Sequence, residues 1–484
     1  MEHRRAIEQM GGQPTIGCPG NAPVKCPVPK VILRRLSPQV GGCFLLLAFV
    51  ACGGGSVHDE RPTGSPSPPP TPGTLRTSPA HEWNRDGYAS VQVNVVDVDG
   101  VPHNVEGDAA NEPSICVDPD ARSRMSIGWR QFDSIESDFR QAGWATSHDR
   151  GATWPYGGTL TPGAFSTDPV LISDAGGRFY YAGVNGEHLR LFRSFDAGLS
   201  WEGPLTVAPG FHDKEWMAVD RANGHLYLAW SDPRHFTRST DGGSTFLPPI
   251  ETPMGDVLAG MIAVDPDGTV YLVDMEHGVA RSRDARDPNV TPTFERMGTA
   301  ELGGDMIGAA GPNPNGLLGQ TSLAVDASAG PGRGNVYMLA SVRPSRGGDP
   351  LDVMFARSTD GGRTWSPPVR VNDDPADNGA WQWLATMSVA PTGRIDAVWA
   401  DTRGSGAPNI SELYYAFSTD AGRTWSENVA VSPPFDSWLG WPQQRRLGDY
   451  YHSISDEDGV DVAYAATFNG EQDVYYLRIG GPRP

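Results

Sequence analysis

The side chains that could do chemistry in this sequence are carboxylates, arginines and aromatics at matching places along the chain. Glu112, Asp168, Asp213 and Glu215 each stand at the start of an apolar-alternating stretch, and Asp449 does so near the C-terminus. Two such carboxyls can divide general-acid and general-base work between them. Arg130, Arg234, Arg343 and Arg403 come just after similar stretches, and a planar guanidinium fork can hold a carboxylate through two hydrogen bonds. Trp381, Gln382 and Trp383 add stacking surface and a polar contact, and Tyr450 and Tyr451 add phenols. The chemistry implied is recognition, or acid–base cleavage, of a polar and anionic ligand. No cofactor is required, and Ca2+ is the one metal that crowded carboxylates would admit. No zinc-spaced His or Cys pairs, Gly-rich phosphate loop or Gly-x-Ser-x-Gly turn occurs. Asp97-Val-Asp99-Gly100 is a fragment of a calcium loop that a hairpin turn explains equally well.

The elements that must position these residues are repeats. An octet S-x-D-x-G-x-[TS]-[WF] recurs five times, with its Asp at Asp149, Asp196, Asp241, Asp360 and Asp420. Ser and Asp can bond the amides of a turn, Gly accepts a positive φ, and the terminal aromatic is expected to drop back over its own hairpin. A sixth copy, Ser282-Arg-Asp284 with Thr293-Phe294, reads as the same octet opened by an insertion. Independently, seven stretches alternate apolar residues around an Asp/Gly/Pro turn: Ser114 to Trp129, Val170 to Gly183, Met217 to Trp230, Met261 to Asp274, Ser322 to Ala340, Met387 to Trp399 and Ser453 to Ala465. Each reads as a β-hairpin. The last lacks an octet and ends in a third strand, Asp473 to Ile479, while Val91 to Val98 is an orphan strand at the other end. Pairing the two would remove both exposed edges. The expected fold is all-β, a seven-bladed β-propeller over residues 85–484 whose ring is closed by an N-terminal strand.

The octet is the Asp-box, and residues from about 88 to 480 resemble the sialidase-like Asp-box (BNR-repeat) propellers of bacterial exported proteins. The resemblance implies that Asp149, Asp196, Asp241, Asp360 and Asp420 are structural, on turns remote from the catalytic face. It also implies a substrate carboxylate held by three arginines, a Tyr nucleophile assisted by a Glu, and an Asp as acid/base. Tyr450, Glu215 and Asp213 are then the catalytic candidates, with Arg130, Arg234, Arg343, Arg403, Glu112, Asp168, Trp381 and Gln382 holding the substrate. The sequence departs from that pattern in having no Arg-Ile-Pro and in counting seven blades where sialidases have six. Two functions follow: a sialidase-like exo-glycosidase, or a non-catalytic propeller that binds glycan or protein through the same mouth. The Asp/Arg pairs in Trp230 to Arg234 and Trp399 to Arg403 read equally as ion pairs between blades.

The remaining sequence sets the compartment. Arg34 and Arg35 precede the apolar run Val40 to Ala51, too short to span a bilayer and suited to a signal h-region. Phe49-Val50-Ala51-Cys52 resembles a bacterial lipobox, so Cys52 is the expected lipid-bearing residue and 1–52 the signal segment. Residues 53–84, with Ser65 to Pro72, read as a Pro-rich spacer. The expected protein is exported and held at the membrane by lipid, or else secreted. Only Cys116 would then be left inside the folded part, so packing rather than disulfides must stabilise it. With 38 Lys+Arg against 58 Asp+Glu over 484 residues, the net charge of −20 argues against a nucleic-acid partner. The expected partner is a glycan or cell-surface polymer, met by a monomer.

Overall fold

Short β-branched and aromatic runs punctuated by Gly, Asp and Pro form strands here because pleated backbone suits the former and tight turns the latter. The computed structural model describes residues 76–231, 234–255 and 260–481, and every regular element among them is a β-strand. The signal segment, Cys52 and the spacer up to residue 75 lie outside the described residues, as does Asp232.

All seven expected hairpins pair antiparallel, and each opens a small sheet. The first sheet runs Ala109–Val117, Met125–Phe132, Arg140–Ser147 and Tyr156–Thr159 in order. The second begins with Thr167–Ser173, the third with Asp213–Asp220, the fourth with Ala263–Val264, and the sixth with Gln382–Val389. In the fifth, Ser322–Val325 pairs with Val336–Pro344. The seventh contains His452–Ser455, Gly459–Ala466 and Asp473–Gly480. Opening strands of successive sheets pack on one another, and His452–Ser455 packs on Ala109–Val117. Strands such as Ala109–Val117 and Gly459–Ala466 are buried along their whole length because neighbouring sheets cover both faces.

The N-terminal strand differs from expectation. Tyr88–Gln92 pairs with Asp473–Gly480, placing Ser90 opposite Leu477 and Val91 opposite Tyr476, so the expected strand Val91 to Val98 pairs there only at its start and begins three residues earlier. Glu82–Arg85 adds a further strand outside it, so strand structure extends into the end of the expected spacer. Asn94 breaks the orphan strand: its amide donates to Asp473 Oδ1 at 2.6 Å, and its side-chain oxygen accepts from the Val474 amide at 3.0 Å. Val95–Val98 then turns away to pair with Val101–Val105, in a three-stranded sheet with Thr77–Pro79. Asp97 and Gly100 form the tip of that hairpin, where the Gly100 amide donates to Asp97 Oδ1.

Each octet folds the same way. In Ser358–Trp365 the Ser hydroxyl donates to Asp360 Oδ1 (2.8 Å) and accepts from the Gly362 amide (2.9 Å), while the Thr364 amide and hydroxyl donate to the two Asp360 oxygens at 2.9 and 2.6 Å. The opened sixth copy keeps the clasp, with Thr293 donating to both oxygens of Asp284 at 2.9 and 2.6 Å. In four copies the aromatic reaches the preceding sheet: Trp425 packs on Phe355, Phe294 on Phe236, Trp201 on Trp144, and Trp154 on Tyr476 of the seventh sheet, with Trp201 also against Tyr181 of its own sheet. The octet glycine is needed twice over, since Gly422 has φ 75° and a Cβ there would run into Phe355.

The first and seventh sheets are also joined by charge. Arg122 bridges Asp456 (2.6 Å) and Asp461 (2.9 Å), and Arg478 bridges the same pair at 2.7 and 3.1 Å. Close by in sequence to the first strand, Asp108 is buried and accepts from Gln131 at 2.8 Å. Burial, reinforced by the charge of Asp473, raises its carboxyl from 3.8 to about 8. A raised carboxyl stabilises the fold only while protonated, so this contribution drains away as pH climbs from about 4 to 8. Asp108→Asn keeps the acceptor and removes the titration. Its melting temperature should exceed that of the parent at pH 8 and match it at pH 4, measured by calorimetry; equal curves at both pH values would refute the assignment.

Candidate functional site

Three opening strands carry the same irregularity. Register slips between Asn111 and Ser114, between Thr167 and Val170, and between Asp213 and Trp216, as a β-bulge. Glu112, Asp168 and Lys214 occupy the slips with φ of 52°, 55° and 55°, a left-handed conformation that costs a non-Gly residue about 1 kcal/mol. The sixth sheet repeats the slip with Leu384 at 52°. The bulges turn charged side chains towards one another.

Arg130, fully buried, meets Glu112 at 3.0 Å and donates through Nε to Asn111 at 2.8 Å. Lys214 Nζ donates to Asp449 at 2.7 Å and lies 3.8 Å from Asp213. Arg446 meets Asp449 at 3.1 Å and Glu112 at 3.9 Å. The other Asp449 oxygen accepts the Leu317 amide at 2.8 Å. Burial opposes the charge on Asp449 and Asp168, yet Lys214 and the arginines outweigh it and hold both carboxyls below the usual range. Burial, reinforced by the charge of Asp168, raises Asp213 to about 6 although Lys214 opposes it. Burial likewise raises Glu112, to about 7, and Glu215, well above its ordinary value. Glu215 has no hydrogen-bond partner beyond its own backbone.

Beside this cluster opens a cavity of about 270 Å³, lined by Arg140, Phe165, Asp168, Phe211, Asp213, Lys214 and Arg446. Phe211 is 62% exposed at its edge, and the Arg140 guanidinium lies 4.6 Å over the Phe165 ring. Cations stand between the carboxylates where a calcium ion would have to bind, and no metal-holding group of three or more His, Cys, Asp or Glu occurs among the described residues.

The expected residues separate into two sets. Glu112, Arg130, Asp168, Asp213 and Glu215 come together. Tyr450 is adjacent but enclosed: it is 4% exposed, packs edge-on against Trp216, and its hydroxyl donates to the Pro169 carbonyl at 2.8 Å. Burial, then Glu112 and Asp168, push its phenol well above the ordinary value, the reverse of what an activated nucleophile needs. Tyr451 is also buried, donating to Ala465. Five other candidates lie elsewhere. Arg403 is tied to Asp401, Asp373 and Asp374 and lies over the Tyr414 ring, and Gln382 donates to Asp374 and Asp401, an ion-pair network joining the fifth and sixth sheets. Arg234 meets Glu251 at 3.4 Å, and Arg343 is exposed on its strand. Trp381 packs against Gly311.

Sequence reasoning missed Lys214, Arg140 and Arg446 as site residues. Lys214 had a signal: aligning Asn111-Glu112-Pro113 with Thr167-Asp168-Pro169 puts Lys214 in the same slot. Arg140 and Arg446 had none, since no repeat brackets them.

The octet geometry recurs six times among the described residues. Residues 356–367 match the BNR/Asp-box repeat. The chain carries Asp-box repeats. No curated protein is a significant sequence match to it. Among solved structures, the Asp-box chain is similar to a protein of unknown function from Dyadobacter fermentans, with 16% identity and TM-score 0.43 over 81% of this chain and 99% of that one. It is similar to the Hadza microbial sialidase Hz136, with 14% identity and TM-score 0.41 over 73% and 76% of the two chains. YCF48 bound to D1 peptide gives 14% identity and TM-score 0.47 over 84% and 98%.

In this Asp-box protein the Tyr450 hydroxyl is a structural donor. Tyr450→Phe should strand the Pro169 carbonyl and cost about 1–3 kcal/mol in denaturant unfolding. A variant as stable as the parent would show that the hydroxyl is not committed to that bond.

Proposed function

We propose that the chain is an exported, lipid-anchored Asp-box propeller of seven blades that binds an anionic glycan in the cavity beside Lys214. The blade count and closure are supported by the serial packing of the opening strands, the return of His452–Ser455 to Ala109–Val117, and the pairing of Tyr88–Gln92 with Asp473–Gly480. Lipid anchoring through Cys52 rests on the sequence.

The observation that carries the ligand class is the charge of the cluster. Burial keeps Glu215 neutral and raises Asp213 to about 6 and Glu112 to about 7, so below about pH 6 these three are neutral and only Asp168 and Asp449 stand ionised against Arg130, Arg140, Lys214 and Arg446. A net positive, aromatic-edged cavity in a protein of charge −20 suits a sugar carrying a carboxylate or sulfate. Recognition is favoured over a Tyr-nucleophile hydrolysis because the Tyr450 oxygen is enclosed. The raised carboxyl of Asp213, which lines the cavity, favours a second reading in which it serves as general acid.

Titration calorimetry with N-acetylneuraminate, glucuronate and galacturonate, against glucose and galactose, tests this reading. Acidic sugars should bind and neutral ones should not, with tighter binding at pH 5 than at pH 8 because protonation of Glu112 and Asp213 adds positive charge. Phe211→Ala should weaken binding about tenfold with an unchanged melting temperature. Failure of every acidic sugar to bind at either pH would reject the proposal. Separately, Cys52→Ala should move the protein out of the membrane fraction; unchanged fractionation would rule out the lipid anchor.

A further inference from the structure

Away from the cavity, a pair of tryptophans lies on the chain between Phe435–Asp436 and His452–Ser455. Trp438 is 43% exposed, with half-buried Trp441 beside it, their ring centroids 6.4 Å apart and their planes at 55°. Both indole N–H groups are already used, Trp438 donating to the Gly311 carbonyl at 3.2 Å and Trp441 to that of Ser437. The polar edge of each ring is therefore satisfied by backbone, and the surface left over is apolar ring.

This segment is held in place. Ser437 Oγ donates to the Pro312 carbonyl (2.8 Å), the Leu447 amide to Asn313 Oδ1 (3.0 Å), and Asn313 Nδ2 to the Gly448 carbonyl (2.7 Å). Gly311, which receives the Trp438 N–H, lies against the ring of Trp381 with no room for a Cβ. The rings are thus set before any ligand arrives, which spares the ordering cost of binding. The same segment continues into Arg446 and Asp449 of the cavity cluster. Arg446 lies five positions after Trp441, a reach of at most about 18 Å.

We infer that Trp438 and Trp441 form a sugar-stacking platform that extends the cavity into a site for a chain of several pyranose units. Rigid indole faces suit the C–H face of a pyranose ring, which presents apolar carbon while its hydroxyls point outward to water. The continuous segment from Trp438 to Arg446 puts such a surface within reach of the charged end. A ligand with an acidic residue in the cavity would lay its neighbouring sugars over the tryptophans. This inference rests on the anionic-glycan reading for the charged end only; the platform takes sugar rings whatever their charge.

The two are separable by experiment. Binding of galacturonate, hexagalacturonate and neutral cellohexaose to the purified protein is followed by calorimetry and tryptophan fluorescence. Hexagalacturonate should bind at least about tenfold more tightly than the monosaccharide. Trp438→Ala and Trp441→Ala should each remove most of that gain while leaving galacturonate binding unchanged, and Trp438→Phe, which keeps a flat ring, should retain part of it. Phe211→Ala should weaken all acidic ligands alike. Cellohexaose should quench fluorescence in the parent and not in Trp438→Ala. Cellohexaose quenching without any galacturonate binding would reject the charged cavity and leave the platform standing. No quenching by either hexasaccharide, or a length gain that survives both alanine substitutions, would overturn the platform.

Discussion

The structure depends on one repeated contact, the lean of each octet turn against the sheet before it. Two oxygens of one Asp close the turn on a Thr or Ser, as in Asp360 with Thr364, and fix where the aromatic leaves the chain. That aromatic then fills the space between sheets, as Trp425 does on Phe355. Because the turn itself must come close to the neighbour, its glycine cannot be replaced without displacing Phe355, Tyr476 or their equivalents. A local hydrogen-bond pattern thereby sets a long-range spacing. Where the first octet meets Tyr476, the same contact operates between residues far apart in the chain, assisted by Arg122 and Arg478.

The opposite demand is met at the opening strands. Bulges at Glu112, Asp168 and Lys214 hold left-handed residues and buried charge, both unfavourable in isolation. They persist because packed sheets on either side leave the backbone little freedom. The charges are arranged so that Asp449 serves Lys214 and Arg446 together, while Glu112 serves Arg130. Strain and desolvation are thus gathered in one place, and turn chemistry is gathered in another.

This division explains what could be read from sequence. The hairpins and octets, including the opened copy at Asp284, were legible because each is specified by neighbouring residues with fixed conformational preferences. The fate of Val91 to Val98 was not, because the break depends on Asn94 meeting Asp473, a contact that no local pattern announces. The site was half legible for the same reason. Glu112 and Asp168 share a repeated slot with Lys214, next to Asp213, whereas Arg446 reaches the cluster from an irregular segment and Arg140 from the third strand of the first sheet. Tyr450 had the residue type of a nucleophile and the address of one. Only the packing of Trp216 and the Pro169 carbonyl reveal that its oxygen faces inward. Arg403 and Gln382 likewise had the right residue types, and were drawn off by the acidic partners Asp373, Asp374 and Asp401.

The opened sixth octet shows what the clasp requires. Asp284 and Thr293 are nine positions apart where the intact copies need four, yet the bonds have the same lengths. The intervening chain is secured by Arg238, which donates to the carbonyls of Ala285, Asp287 and Val290. Closure of the ends, not the count of residues between them, is therefore the specification. Each intact octet can in this sense admit extra residues between its Gly, which must stay against the neighbouring sheet, and the Thr or Ser that closes the clasp.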